Sequence, residues 1–175
     1  MKESLINRIK RIKIIIFDID GVMTDGKIIY SSNGEEIKEF NVRDGHGIKL
    51  AKRAGMDIAV ISGRASKILS ARVKELGIDK HYQKALRKIE AYEDILRRYG
   101  YKDEETAYVG DDLPDIPVMR RCGFSIAVRD AVDEVKESAH LITQNCGGNG
   151  AVREVVDLIL KTQGRWSMIM ERYEA

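Results

Sequence analysis

From residue 13 onward, short apolar runs alternate with helical stretches along nearly the whole chain. Parallel strands need long crossover connections, usually helices, so this alternation predicts a parallel sheet covered by helices on both faces. The buried-strand runs are 13–17, 57–61, 106–109 and 124–128, with shorter strands expected near His81-Tyr82 and at Leu141-Ile142. Helices are expected over 3–10, 44–54, 65–76, 87–99, 132–138 and 149–162, with a short one ending at Arg121. Asp44 reads as the N-cap of its helix, and Gly55, Gly77 and Gly100 read as helix stops. One antiparallel element interrupts the pattern: 27–31 and 35–42 join through Asn33-Gly34, a strong hairpin signal. No repeat or linker is visible, so residues 1–175 read as one domain, a three-layer doubly wound α/β fold of Rossmann-like type. The tail, 163–175, carries the only tryptophan, Trp166, and no clear stop signal; it reads equally as a frayed end or as a cover, through Trp166 and Met168, for a neighbour's site.

Composition excludes more than it selects. Hydrophobic residues at 43% and charged residues at 33% describe a soluble globular chain, and a net charge of +2 calls for neither nucleic acid nor a membrane. The basic start is followed by only four apolar residues before Asp18, too few for a signal core or a span, which leads to a cytoplasmic expectation. Cys122 and Cys146 lie in no metal-type spacing and read as reduced thiols, Cys122 as a packed bystander. His46, His81 and His140 are scattered, as surface or core histidines usually are.

The chemistry-bearing residues fall where an open sheet keeps its ligands, at the carboxyl ends of the strands. The run Ile14-Ile15-Ile16-Phe17 leads into Asp18 and Asp20, two apart and hence facing one spot on extended backbone. Two carboxylates at one spot are costly without a cation between them, and a hard divalent metal is the simplest candidate. The next strand ends in Ser62-Gly63-Arg64, a later helix carries Lys88, and the 106–109 strand runs into Gly110-Asp111-Asp112-Leu113-Pro114-Asp115. Acids that hold a cation, with a hydroxyl and cations suited to a phosphoryl group, make a workable phosphoryl-transfer site. One carboxylate can attack phosphorus while a second moves the proton. Gly147-Gly148-Asn149-Gly150 lacks the Lys-Ser/Thr of a phosphate loop and reads as a turn into the last helix.

In order and spacing, DIDGVMTDG, ISGR, a lysine and GDDLPD resemble the motifs of the haloacid dehalogenase superfamily of aspartate-nucleophile phosphatases, over about residues 13–160. The resemblance implies Asp18 as nucleophile and metal ligand, and Asp20 as general acid/base that also binds metal through its backbone carbonyl. It implies Asp111 as the remaining magnesium ligand, with Asp112 or Asp115 behind it and Asp115 favoured for orientation. Ser62 and Lys88 would hold the phosphoryl oxygens. The metal would be Mg2+, with Mn2+ or Co2+ as alternatives. The chain has no room for a cap domain; the hairpin at 27–42 stands in its place.

The stretches DIDGVMTDGKIIY, GEEIKEFNVRDGHGIKLAKRAG, ISGRASKILSARVKELGI and GGNGAVREVVDLIL resemble more closely the 3-deoxy-D-manno-octulosonate 8-phosphate phosphatase family. That resemblance implies a lipopolysaccharide-precursor phosphatase and a homotetramer whose neighbouring subunits help close each site. It places Arg64, Ser66, Asp44, Gly45 and His46 near substrate, while Arg72 reads as a salt-bridge residue. A phosphatase for a nine-carbon sugar-acid 9-phosphate stays open, as do a receiver-like module and an inactive phosphatase-like binding module. The sequence departs from the family pattern before Lys88, reading Gln83-Lys84 where relatives read Gln-Gly, with no acid next to the lysine.

Overall fold

A computed structural model describes residues 4–174. Eight strands and eight helices are described: α1 (Leu5–Arg11), β1 (Ile14–Phe17), β2 (Ile29–Tyr30), β3 (Glu36–Ile37), α2 (Val42–Arg53), β4 (Asp57–Ile61), α3 (Lys67–Leu76), β5 (Lys80–Tyr82), α4 (Lys88–Tyr99), β6 (Thr106–Gly110), α5 (Ile116–Met119), β7 (Phe124–Ala127), α6 (Asp133–Glu137), β8 (Leu141–Ile142), α7 (Ala151–Thr162) and α8 (Trp166–Met170). Six strands form one sheet in the order β5-β4-β1-β6-β7-β8, every pair parallel. β2 and β3 form the separate antiparallel hairpin. The doubly wound expectation holds.

Burial explains the sheet. Ile14, Ile15, Ile16 and Phe17 are all fully buried, as continuous apolar strands must be when both faces are covered. α7 packs on α1 and α2, while α4 packs on α5, so helices close the sheet in two groups. β1 lies between β4 and β6, and the chain winds outward through β4 and β5 before crossing back to β6. The strand order therefore reverses at β1, and the crevice beyond β1 and β6 is the natural ligand position. Asp18 directly follows β1, and Asp111 directly follows β6.

Several boundaries depart from the sequence reading, each for a local reason. Asn41, not Asp44, caps α2: its side chain accepts from the backbone N–H of Arg43 and Asp44, so the helix starts at Val42. That early start shortens the second hairpin strand, expected over 35–42, to two residues. The tail folds rather than frays. α8 lies beside α7, Ile169 is buried, and the Tyr173 hydroxyl lies 3.2 Å from His46 Nε2.

The glycine stretch before α7 makes no phosphate loop. Gly148 N–H donates to the Val22 carbonyl at 2.9 Å, and a Cβ on Gly147 would fall 1.7 Å from the Gly21 carbonyl oxygen. It is a close backbone contact that supports the loop after β1. Cys122 is buried, and burial pushes its thiol up to about 12, the chemistry of an inert core residue.

Candidate active site

Four charged side chains from three elements meet beyond β1 and β6. Lys88, the first residue of α4, places its ammonium 2.8 Å from Asp18 Oδ1 and 2.6 Å from Asp115 Oδ1. Lys88 and Asp18 are nearly buried, and Asp115 is fully so. Asp18, Asp111 and Asp115 each offer an oxygen within 4.8 Å of the others. Gly21 allows this approach: its φ is +96°, and a Cβ there would sit 2.0 Å from Asp111 Oδ2.

Within the cluster, Asp115 differs from the other two carboxylates. Its Oδ1 accepts from Lys88 and from the Tyr108 hydroxyl, the latter at 2.6 Å; its Oδ2 accepts from the backbone N–H of Asp111 and Asp112 at 3.0 and 3.2 Å. Four donors occupy both oxygens, so Asp115 orients the loop around it and has little capacity left for a metal. Asp111 is the reverse: its Oδ1 is buried with no hydrogen-bond partner among the described residues. Burial, then the neighbouring Asp18 and Asp115 charges, push the Asp111 carboxyl up to about 8. Burial and Asp115 push Asp18 up to about 6 against the opposing pull of Lys88. An orphaned carboxylate oxygen beside a second crowded carboxylate is a donor set that fits a hard divalent cation.

A pH dependence follows. Both carboxyls have raised values in the fold, so the stability they contribute is present at low pH and is lost as pH climbs through about 6 and then about 8. A divalent cation opposes that loss by neutralising the ionised pair. Magnesium is therefore expected to raise the thermal midpoint of chelator-treated protein more at pH 8.5 than at pH 6, by differential scanning fluorimetry. An equal rise at both values would contradict this.

Ser62 follows β4, whose Val60 pairs with Phe17, so its backbone stands beside the start of the β1 loop. It is buried, its N–H donates to the Tyr82 carbonyl at 2.8 Å, and its Oγ accepts from Arg64 N–H at 3.2 Å. Asp20 is half-buried and forms an ion pair with Lys38 of the hairpin. Arg64 pairs with Glu36 at 3.2 Å, and Ser66 donates its hydroxyl to Glu36 at 2.8 Å while capping α3 at Ile68 N–H. Both are thus tied to the hairpin. Asp112, exposed, caps the 3-10 turn Leu113–Asp115 through Leu113 N–H and stays outside the carboxylate cluster.

The residues of the 44–46 stretch have other partners. Asp44 is buried, and its oxygens accept from Gly150 N–H at 3.2 Å and Arg153 N–H at 2.8 Å. It caps the first turn of α7 from the side of α2, so both of its oxygens are engaged with backbone N–H groups. Burial raises its carboxyl and those two N–H groups pull it back. Gly45 lies against the Arg72 guanidinium, which pairs with Glu75 at 2.8 Å, and His46 meets Tyr173. Asp44→Ala is expected to cost about 2 kcal/mol in denaturant unfolding while KM stays unchanged, because two N–H groups lose their acceptor. A raised KM with stability intact would return Asp44 to the substrate.

The departure at Lys84 has a structural answer. Lys84 takes φ +59°, alone in the left-handed region among described non-glycine residues. The turn that a glycine would make easily is kept, and Gln83 still accepts from Ser66 N–H at 2.8 Å. Sequence reasoning did not single out Lys38, Glu36 or Tyr108.

The comparisons agree with this geometry. A profile of haloacid dehalogenase-like hydrolases matches residues 81–155. The chain is 45% identical over 162 residues to the 3-deoxy-D-manno-octulosonate 8-phosphate phosphatase of Escherichia coli K12, covering 93% of this chain and 86% of that one. The phosphatase of the same name from Moraxella catarrhalis, solved with magnesium ion, phosphate ion and KDO, superposes with a TM-score of 0.95 at 38% identity over 99% of both chains. The cobalt-bound Haemophilus influenzae phosphatase superposes at 0.89 and 45% identity, covering 92% of this chain and 94% of that one. At this identity and coverage, on a capless parallel sheet with the acid cluster at its switch point, the chain belongs to the 3-deoxy-D-manno-octulosonate 8-phosphate phosphatase family of haloacid dehalogenase-like hydrolases.

Proposed function

We propose that the protein hydrolyses 3-deoxy-D-manno-octulosonate 8-phosphate to the free sugar acid and phosphate in lipopolysaccharide precursor synthesis, using Mg2+. The observation that carries the reading is the meeting of Asp18, Lys88, Asp111 and Asp115 beyond β1 and β6, with Asp20 two residues past Asp18. Relatives with this activity at 45% identity, and one solved with magnesium, phosphate and KDO, support the substrate and the metal.

In this reading the Asp18 carboxylate attacks phosphorus while Lys88 fixes its Oδ1, and an aspartyl phosphate forms. Asp20 gives a proton to the departing sugar oxygen, then takes one from the water that releases phosphate. Ser62 and Lys88 hold the phosphoryl oxygens, replacing water around the group in flight. Asp18, Asp111 and the backbone carbonyl of Asp20 would hold the metal, with Asp115 behind them. When bound, Mg2+ supplies positive charge beside the nucleophile and the phosphoryl oxygens.

The reading extends to the whole chain as one domain, 1–175, acting in the cytoplasm; no helix among the described residues is long and apolar enough to cross a membrane. It also extends to a homotetramer assembled through the hairpins. Ile28, Ile29, Tyr30 and Ile37 are exposed on the hairpin, an apolar surface suited to contact with another subunit. Steady-state hydrolysis of eight-carbon and nine-carbon sugar-acid phosphates, with native mass spectrometry of the same sample, tests the reading. Preference for the eight-carbon ester is expected. Preference for a nine-carbon 9-phosphate would overturn the substrate, and a monomer would overturn the assembly.

A further inference from the structure

Lys38 lies on the hairpin, outside every role assigned above. The hairpin is open to solvent, with Tyr30 61% and Ile37 46% exposed, yet the Lys38 side chain is only 3% exposed. A buried ammonium needs partners, and Lys38 has two: Asp20 Oδ1, and Glu36 Oε1 at 3.6 Å. Glu36 is itself fixed to the loop after β4 by Ser66 and Arg64. The chain of contacts runs from the β4 edge through Glu36 and Lys38 to one oxygen of Asp20.

We propose that Lys38 is a positioning residue for Asp20, holding Oδ1 so that Oδ2 is the oxygen that carries the proton. The inference rests on the acid/base role of Asp20. As the bond from Asp18 to phosphorus forms, the bond from phosphorus to the ester oxygen breaks and its electron pair stays on that oxygen. The proton on Asp20 Oδ2 passes to it. In the second step Oδ2 takes a proton from the attacking water, whose oxygen bonds to phosphorus as the bond to Asp18 breaks. Lys38 neither gains nor loses a proton; it selects the oxygen and its direction.

The test compares leaving groups. A sugar alkoxide needs a proton as it departs, whereas p-nitrophenolate does not. Lys38→Met is expected to lower kcat/KM for the sugar-acid phosphate by about 10²-fold, the cost of misplacing a catalytic group. For p-nitrophenyl phosphate kcat/KM should stay within about threefold, because no proton reaches that leaving group. Lys38→Arg, which keeps a charged donor, is expected to recover part of the loss. Thermal midpoints and circular dichroism check that each variant folds, and Lys38→Gln, the milder change, should show the same selectivity. An equal fall for both esters, or a rise in KM with kcat unchanged, would overturn the proposal. Asp20→Asn is the control. If it lowers both esters equally, the acid role of Asp20 fails; if it discriminates and Lys38→Met does not, only the Lys38 inference fails.

Discussion

Asp18→Asn is expected to lower turnover of the 8-phosphate by at least about 10⁴-fold, because an amide cannot accept the phosphoryl group. The same change is expected to leave the metal-free fold as stable as before, or more stable. Burial and Asp115 hold the Asp18 carboxyl up at about 6, so its ionised form is disfavoured in the fold near neutral pH. A neutral amide of similar shape removes that strain while keeping an oxygen near Lys88. Loss of activity with retained or raised stability is the signature of a site built for chemistry at the expense of stability. Magnesium should then stabilise the variant less than the wild type, since one ligand charge is gone. Steady-state assays and thermal midpoints, each with magnesium and with chelator, check both halves. Near-normal turnover would remove Asp18 from the nucleophile's role.

Lys88→Met is expected to affect both activity and stability. Lys88 is the cation between Asp18 and Asp115, with Asp111 alongside. Its removal leaves a fully buried Asp115 and a nearly buried Asp18 without their counter-charge. Breaking a buried pair from one side costs about 3–5 kcal/mol. The deficit has a pH sign. Lys88 pulls the Asp18 and Asp111 carboxyls down; without its ammonium both rise further above their ordinary values, so the folded state takes up protons more readily than the unfolded chain. The deficit should therefore be largest near pH 8 and shrink toward pH 5. Magnesium should recover part of the stability but little turnover, because no phosphoryl contact replaces the lysine. A denaturant series at pH 5, 6.5 and 8 makes the measurement; a pH-independent deficit would mean that Lys88 acts through packing alone.

The sheet and the strand-end cluster were legible because both are written in short stretches. Ile14-Ile15-Ile16-Phe17 reads as a buried strand from composition, and Asp18 and Asp20 follow it within three residues. Asp111 and Asp115 share a single loop after β6, so their meeting with Asp18 needed only parallel strands side by side. Asp44 was not legible as a brace, because its partners Gly150 and Arg153 lie more than 100 residues away. Nothing local marks such a contact, and an acid in a helix's first turn satisfies the ordinary capping pattern. Lys38 was hidden by its neighbours: Glu35, Glu36 and Glu39 make the stretch read as a solvated charged face. Its burial comes from the hairpin folding over the loop after β1, which no periodicity of so short a strand announces. The tail was open in sequence for a related reason. Trp166 meets Lys161 across the turn after α7 and Ile169 is buried, and five residues of α8 carry too little pattern to show it.

The central claim is covalent transfer of phosphate to Asp18. Wild-type protein turning over the 8-phosphate with magnesium should be quenched with borohydride, which reduces an acyl phosphate to an alcohol, and digested for mass spectrometry. Homoserine at position 18, dependent on substrate and absent from Asp18→Asn, is the predicted result. An unreduced Asp18 under conditions of full turnover, or homoserine at Asp20 or Asp111 instead, would contradict the account.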